Sequence, residues 1–201
     1  QPVARDLRHI TSALKMITDL ERIGDQASDI CEIVLSFKDG CKIELPEHIE
    51  RMAGTAMKMV NMSLEAYVEK DEKKADECIK CDDIVDELFS KVKEDISKMI
   101  SEKTTCVDMA LSYLMIAKYF ERIGDHASDI SELTILMAKE SYIKHLEHIQ
   151  LMAEISMTML SESIDAYVEK DLKKAEAVIK RDDEVDDLFD KVKNELINII
   201  H

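Results

Sequence analysis

Glu21-Arg22-Ile23-Gly24-Asp25-Gln26-Ala27-Ser28-Asp29-Ile30 returns one hundred residues later as Glu121-Arg122-Ile123-Gly124-Asp125-His126-Ala127-Ser128-Asp129-Ile130, with one position changed. Both copies sit in segments whose apolar residues recur every three or four positions, the helical period. The first runs through Leu7, Ile10, Leu14, Ile17, Leu20, Ile23, Ala27, Ile30 and Val34. Each copy thus sets a Glu and an Asp one helical turn apart.

Working outward, the repeat continues. Ala-Tyr-Val-Glu-Lys-Asp occurs at 66–71 and 166–171, Lys-Lys-Ala at 73–75 and 173–175, and Asp-Asp at 82–83 and 182–183. An offset this constant means two copies of one three-helix unit. The spacing predicts helices over about 3–37, 46–69, 72–100, 105–138, 142–169 and 172–200. Asp39-Gly40 is the first stop, Asp71 a natural N-cap, and Thr104 or Thr105 the expected cap of the fourth helix. No window alternates with period two for long enough to make a sheet, so the fold is read as all-α. Only four Gly and two Pro in 201 residues agree with that. With no Trp and 4% aromatics, the core must be aliphatic and Met-rich.

A formal net charge of −16 leaves no basic stripe to neutralise phosphates and argues against nucleic acid. No apolar run approaches a membrane span and there is no signal peptide, so the chain reads as cytoplasmic, with no direct membrane insertion. Five cysteines form no paired framework. Cys78-x-x-Cys81 has metal or redox spacing, but the second copy reads Val178 and Arg181, so these are taken as ordinary thiols. The chain opens on Gln1-Pro2, which reads as a trimmed start or a piece of a longer protein.

Two rows carry the candidate site. In the third helix Ala75, Ile79, Asp82, Asp86, Phe89, Ile96 and Ile100 form a stripe in which two Asp interrupt apolar residues. The sixth helix repeats it with Ala175, Ile179, Asp182, Asp186, Phe189, Leu196 and Ile200. Carboxylates on such a stripe are expected to be at least partly buried, which favours protonation unless a partner compensates. Like charges at i and i+4 also repel, by about 0.2–0.5 kcal/mol even in water. A multivalent cation removes both penalties. Glu21, Asp25, Glu121 and Asp125 facing Asp82, Asp86, Asp182 and Asp186 is therefore a candidate carboxylate-only metal site. The competing reading pairs the carboxylates with Arg22 and Arg122. Gly24 and Gly124, each costing a helix about 1 kcal/mol relative to Ala, imply close helix approach or room for a ligand. His126 is open between a ligand in one copy only, a donor to a ligand, and a packing residue. His48 and His148 look structural. No phosphate-binding loop, nucleophile–base pair or Glu-x-x-His pattern is present.

With these motifs, the chain resembles the PhoU family of phosphate-transport accessory proteins over nearly its whole length. The carriers are Gln1–Arg8, the two Glu-Arg-Ile-Gly-Asp segments and the two Asp-Asp-x-Val-Asp segments. The resemblance implies two pseudo-symmetric three-helix bundles and metal ions, often multinuclear iron, at the four acidic pairs; Mn, Mg, Ca and Zn stay open. It implies a regulator, not an enzyme. Such a protein would be a negative regulator of the phosphate-starvation response, working with a phosphate ABC transporter ATPase and a sensor histidine kinase, commonly as a homodimer. The alternatives are a cytoplasmic module of a sodium–phosphate cotransporter and a carboxylate-bridged metalloenzyme. Where the family usually has Asn, this chain has Asp29 and Asp129, which would add ligands or shift metal preference. Helix order departs too. The expected division is a motif helix over 1–40, a complete three-helix unit over 41–140, and a two-helix segment over 141–201. The first motif helix must then find the last segment across the molecule or in another chain.

Overall fold

The computed structural model describes residues 2–37, 46–137 and 147–200, with side chains placed over 10–37, 46–137 and 148–197. It contains α1 (Pro2–Ser36), α2 (Glu47–Glu69), α3 (Glu72–Ser101), α4 (Val107–Met137), α5 (Glu147–Glu169) and α6 (Leu172–Ile200), with no strand among the described residues. The expected stop at Asp39-Gly40 and the expected start of the fifth helix near 142 lie outside the described residues.

The α2–α3 and α5–α6 turns are built alike. Lys70 and Lys170 reverse the chain in the left-handed region, at φ 56° and 57°. Asp71 then accepts from the backbone N–H groups of Lys73 and Lys74 at 2.9 and 3.1 Å, and Asp171 from those of Lys173 and Lys174 at 3.0 and 3.1 Å. Each carboxylate thereby satisfies two of the N–H groups that a helix start leaves unpaired. The α3–α4 turn differs from expectation. Thr104 closes α3, its N–H and hydroxyl both donating to Met99 O, so it cannot open α4. Cys106 takes that place, its carbonyl accepting from Ala110.

Each motif helix packs with the helix pair that precedes it in repeat register. α4 lies against α2 and α3, while α1 lies against α5 and α6 of the same chain. The two units meet through α1 and α4, with a lesser contact between α2 and α5. A buried hydrogen bond from Ser156 Oγ in α5 to Leu20 O, 3.0 Å, pins α1 to its distant partners. The core is continuous and rich in methionine: Met16, Met52, Met59, Met109, Met152 and Met159 are buried around Tyr113, Phe120 and Tyr167. Unbranched thioethers suit this arrangement, because they fill irregular gaps between helices. No helix among the described residues is long and apolar enough to cross a membrane.

Candidate metal centre

In α1 the buried row is Ile17, Leu20, Ile23, Ala27 and Ile30. Glu21 and Asp25 flank it and stand half-buried at the edge facing α6. Gly24 lies between them against α6: a Cβ there would be 3.5 Å from Val185 Cγ1 and 3.6 Å from Asp182 Oδ1. In α4 Gly124 does the same against α3, with Asp82 Oδ1 at 3.4 Å and Val85 Cγ1 at 3.6 Å. Both motif glycines therefore face the Asp-bearing helix, with an Asp oxygen beside the bare backbone.

The stripe expected on α3 and α6 is rotated by part of a turn. The rows that reach the core are Ala75, Cys78, Val85, Leu88, Val92, Ile96 and, in α6, Ala175, Val178, Val185, Val192, Leu196. Asp82 and Asp182 sit half-buried beside these rows, but Asp86 and Asp186 are exposed, and Ile100 is 44% exposed. The cause is the helical period: Val85 and Leu88 claim the core face, which carries position 86 round to solvent. The acidic pairs thus form grooves open on one side.

In the α1–α6 groove, one oxygen each of Glu21, Asp25 and Asp186 lies within 4.8 Å of the others. Burial, then Asp25 and Asp186, push the Asp182 carboxyl up to about 6, against a hydrogen bond from Ser28. Its Oδ1 is buried and accepts no hydrogen bond. Glu21 and Asp25 are raised as well, chiefly by burial, with Arg22 opposing the rise. Arg22 reaches Asp25 at 3.0 Å and Glu21 at 3.9 Å. The arginine pairing weighed from sequence is therefore present here, but Arg22 is exposed and does not reach Asp182 Oδ1.

The α3–α4 groove brings Asp82, Asp86, Glu121 and Asp125 within electrostatic reach of one another. Asp82 is pushed up to about 6 by burial first, then by Asp125 and Asp86. Here Lys118 pairs with Glu121, and among the described residues no three oxygens of this groove converge as in the first. The groove whose partners are distant in sequence is thus the better gathered of the two.

The donors suit a hard cation. Both grooves offer carboxylate oxygen alone, and the orphaned Asp182 Oδ1 is a buried acceptor that a cation would satisfy. The thiols do not take part. Cys78 is buried and donates to Met59 O at 3.2 Å, and burial pushes both its thiol and that of Cys31 upward. Asp29 acts electrostatically on the Tyr119 hydroxyl of α4 and on Asp25 and Asp182. Asp129 is drawn away from the α3–α4 groove, toward Lys15, Asp19 and His126 at the α1–α4 contact. His48 and His148 tie helix pairs together, reaching Asp95 at 2.6 Å and Glu195 at 3.1 Å. Asp19 escaped the sequence reading. Its one signal is its register: an Asp three residues after Met16 and four before Ile23 belongs to the packed face of α1.

A family model described as the PhoU domain matches residues 1–34, 49–134 and 149–201. Among curated relatives, a phosphate-specific transport system accessory protein PhoU homolog of Clostridium acetobutylicum is 36% identical over 135 residues, 67% of this chain and 62% of its own length. PhoU homolog 1 of Thermotoga maritima is 36% identical over 135 residues, covering 67% and 58%. The Pseudomonas putida homolog is 28% identical over 169 residues, covering 84% and 66%. The chain thus spans less than two thirds of the first two relatives. No solved structure matches. With the family model covering both repeats and both acidic grooves, the chain belongs to the PhoU family.

Proposed function

We propose that this chain is a metal-binding regulatory adaptor of phosphate uptake. In this reading it holds down the phosphate-starvation response by engaging a phosphate ABC transporter ATPase and a sensor histidine kinase in the cytoplasm. It acts as a homodimer and catalyses no reaction. The observation that carries the metal half is the pair of carboxylate grooves in repeat register, each with one half-buried Asp pushed up to about 6. The transport half is supported by the relatives, which are named as accessory proteins of the phosphate-specific transport system. Glu21, Asp25, Asp182 and Asp186 would hold one cation group, and Asp82, Asp86, Glu121 and Asp125 the other, with Asp29 beside the first. A bound cation would add positive charge where the carboxylates converge, joining α1 to α6 and α3 to α4. The grooves are open to solvent, so metal occupancy is visible to a docking partner.

Elemental analysis of protein purified without chelator tests the metal half. The wild type is expected to retain stoichiometric metal. Glu21→Gln/Asp182→Asn/Asp82→Asn/Glu121→Gln is expected to lose it and to derepress a phosphate-starvation promoter reporter in cells. Equal metal content in both proteins would remove the grooves as the site.

A further inference from the structure

We propose that Asp19, His126 and Asp129, at the contact between α1 and α4, form a third cation site that takes one first-row divalent ion through mixed oxygen and nitrogen ligands. The site shares no ligand with the two grooves and does not depend on their being metal sites. One carboxylate oxygen from each Asp and one ring nitrogen of His126 lie within 4.8 Å of one another. An ion entering at their centre would draw all three inward by an ordinary rotamer adjustment.

The second observation is Asp19 itself. It is 4% exposed, and its Oδ2 accepts no hydrogen bond. His126 Nδ1 stands 3.1 Å from the other oxygen, Oδ1. A buried carboxylate with half its acceptor capacity unused is costly to keep, and a cation is the partner that uses it. Asp129 stands at the mouth, its side chain 43% exposed, with Lys15 Nζ at 3.5 Å. Lys15 thus guards the entrance as a weak, displaceable cation. Two carboxylates and one imidazole, with open positions left for water, suit Zn²⁺, Co²⁺ or Mn²⁺ better than Ca²⁺, because imidazole favours transition metals.

The repeat supplies an internal control. The positions matching Asp19, His126 and Asp129 are Tyr119, Gln26 and Asp29. There Asp29 lies within electrostatic reach of the Tyr119 hydroxyl, and Gln26 is buried with its Oε1 unpaired. A phenol and an amide leave that side with one charge and no imidazole. The site is therefore single in a two-fold repeated chain. The competing reading makes Asp19–His126 a plain latch between α1 and α4, indifferent to metal.

The test titrates Zn²⁺ into chelator-stripped, full-length protein with ¹⁵N-labelled histidine and follows the ring nitrogens by NMR. The grooves hold no histidine, and the His126→Gln variant identifies the responding ring among the six histidines of the chain. One ring is expected to shift saturably in the wild type and in Glu21→Gln/Asp182→Asn/Asp82→Asn/Glu121→Gln, and the shift is expected to vanish in His126→Gln. Asp129→Asn and Asp19→Asn are expected to weaken zinc by more than roughly tenfold, since even outer-sphere partners are worth that much. Lys15→Met, which removes the competing cation, is expected to tighten it. Asp129 is exposed enough that its variant folds even if that of Asp19 does not. A His126 ring unmoved by zinc in the wild type overturns the proposal. So does a shift that survives Asp129→Asn with unchanged affinity.

Discussion

A half-buried carboxylate facing two others is a local debt that the rest of the fold must carry. Asp82 and Asp182 titrate near 6 in the folded chain, against about 3.9 in an unfolded one. The folded state binds protons that the unfolded state has already lost between these values. Each group's contribution to stability is therefore most favourable below about pH 4 and declines as the pH rises through 6. For metal-free protein, Asp82→Asn and Asp182→Asn are each expected to raise stability at about pH 7.5. With solvent screening allowed for, the gain is on the order of 1 kcal/mol, shrinking toward about pH 4. Urea unfolding across that range checks it, and a gain that grows toward low pH contradicts the sign. The glycine beside each Asp gives a second expectation. A Cβ at Gly24 meets nothing closer than 3.5 Å, so packing alone admits Ala. Gly24→Ala is expected to raise metal-free stability by up to about 1 kcal/mol through helix propensity. At 3.6 Å from Asp182 Oδ1 the added methyl makes only an ordinary contact, so metal retention is expected to persist, and both properties are measured on one preparation.

At the scale of the element, the helices follow closely from local chemistry, and the turns show where it ran short. Asp71 was legible as a cap because an Asp before a helical run has one obvious use, and the structure shows Asp171 in the same role. The start of α4 was not, because Thr104 had two possible uses and tertiary placement of the α3 end chose the earlier one. The duplicated turn makes opposite predictions at adjacent residues. Asp171→Ala removes acceptors from two N–H groups and is expected to cost about 1 kcal/mol. Lys170→Gly relieves a left-handed residue and is expected to gain up to about 1 kcal/mol, the strain relief less the added entropy of glycine. Thermal melts of the two variants should move in opposite directions from the wild type. The stripe on α3 shows another local ambiguity. Apolar residues at 79, 85, 88, 89 and 92 allow two faces a fraction of a turn apart, and packing against α2 and α4 decided that Val85 and Leu88 face inward.

For the whole molecule, the helices associate as two units: α2, α3 and α4 form one, and α1 with α5 and α6 the other. This pairing predicts the behaviour of fragments. Residues 46–137 contain a complete unit and are expected to melt cooperatively as a helical monomer or dimer. Residues 107–200 hold three consecutive helices of similar length but lack α1, and are expected to show at most a broad, weak transition. Adding a peptide of residues 1–37 to residues 147–200 is expected to restore helicity. Circular dichroism decides among these, and equal cooperativity in both three-helix fragments would contradict the pairing.

Sequence alone determined that the protein is all-helical and internally repeated. It also singled out four acidic pairs as the candidate site, because helical period and repeat offset are properties read along the chain. Tertiary structure decided which pairs meet and how closely. It placed α1 across the molecule, gathered Glu21, Asp25 and Asp186 more tightly than the groove formed by neighbours in sequence, and turned Asp86 and Asp186 to solvent. It also brought Asp19 to His126, 107 positions away. The reason is physical: a helix's sequence specifies which residues share a face, but the angle at which that face meets its neighbour is set by the packing of both helices.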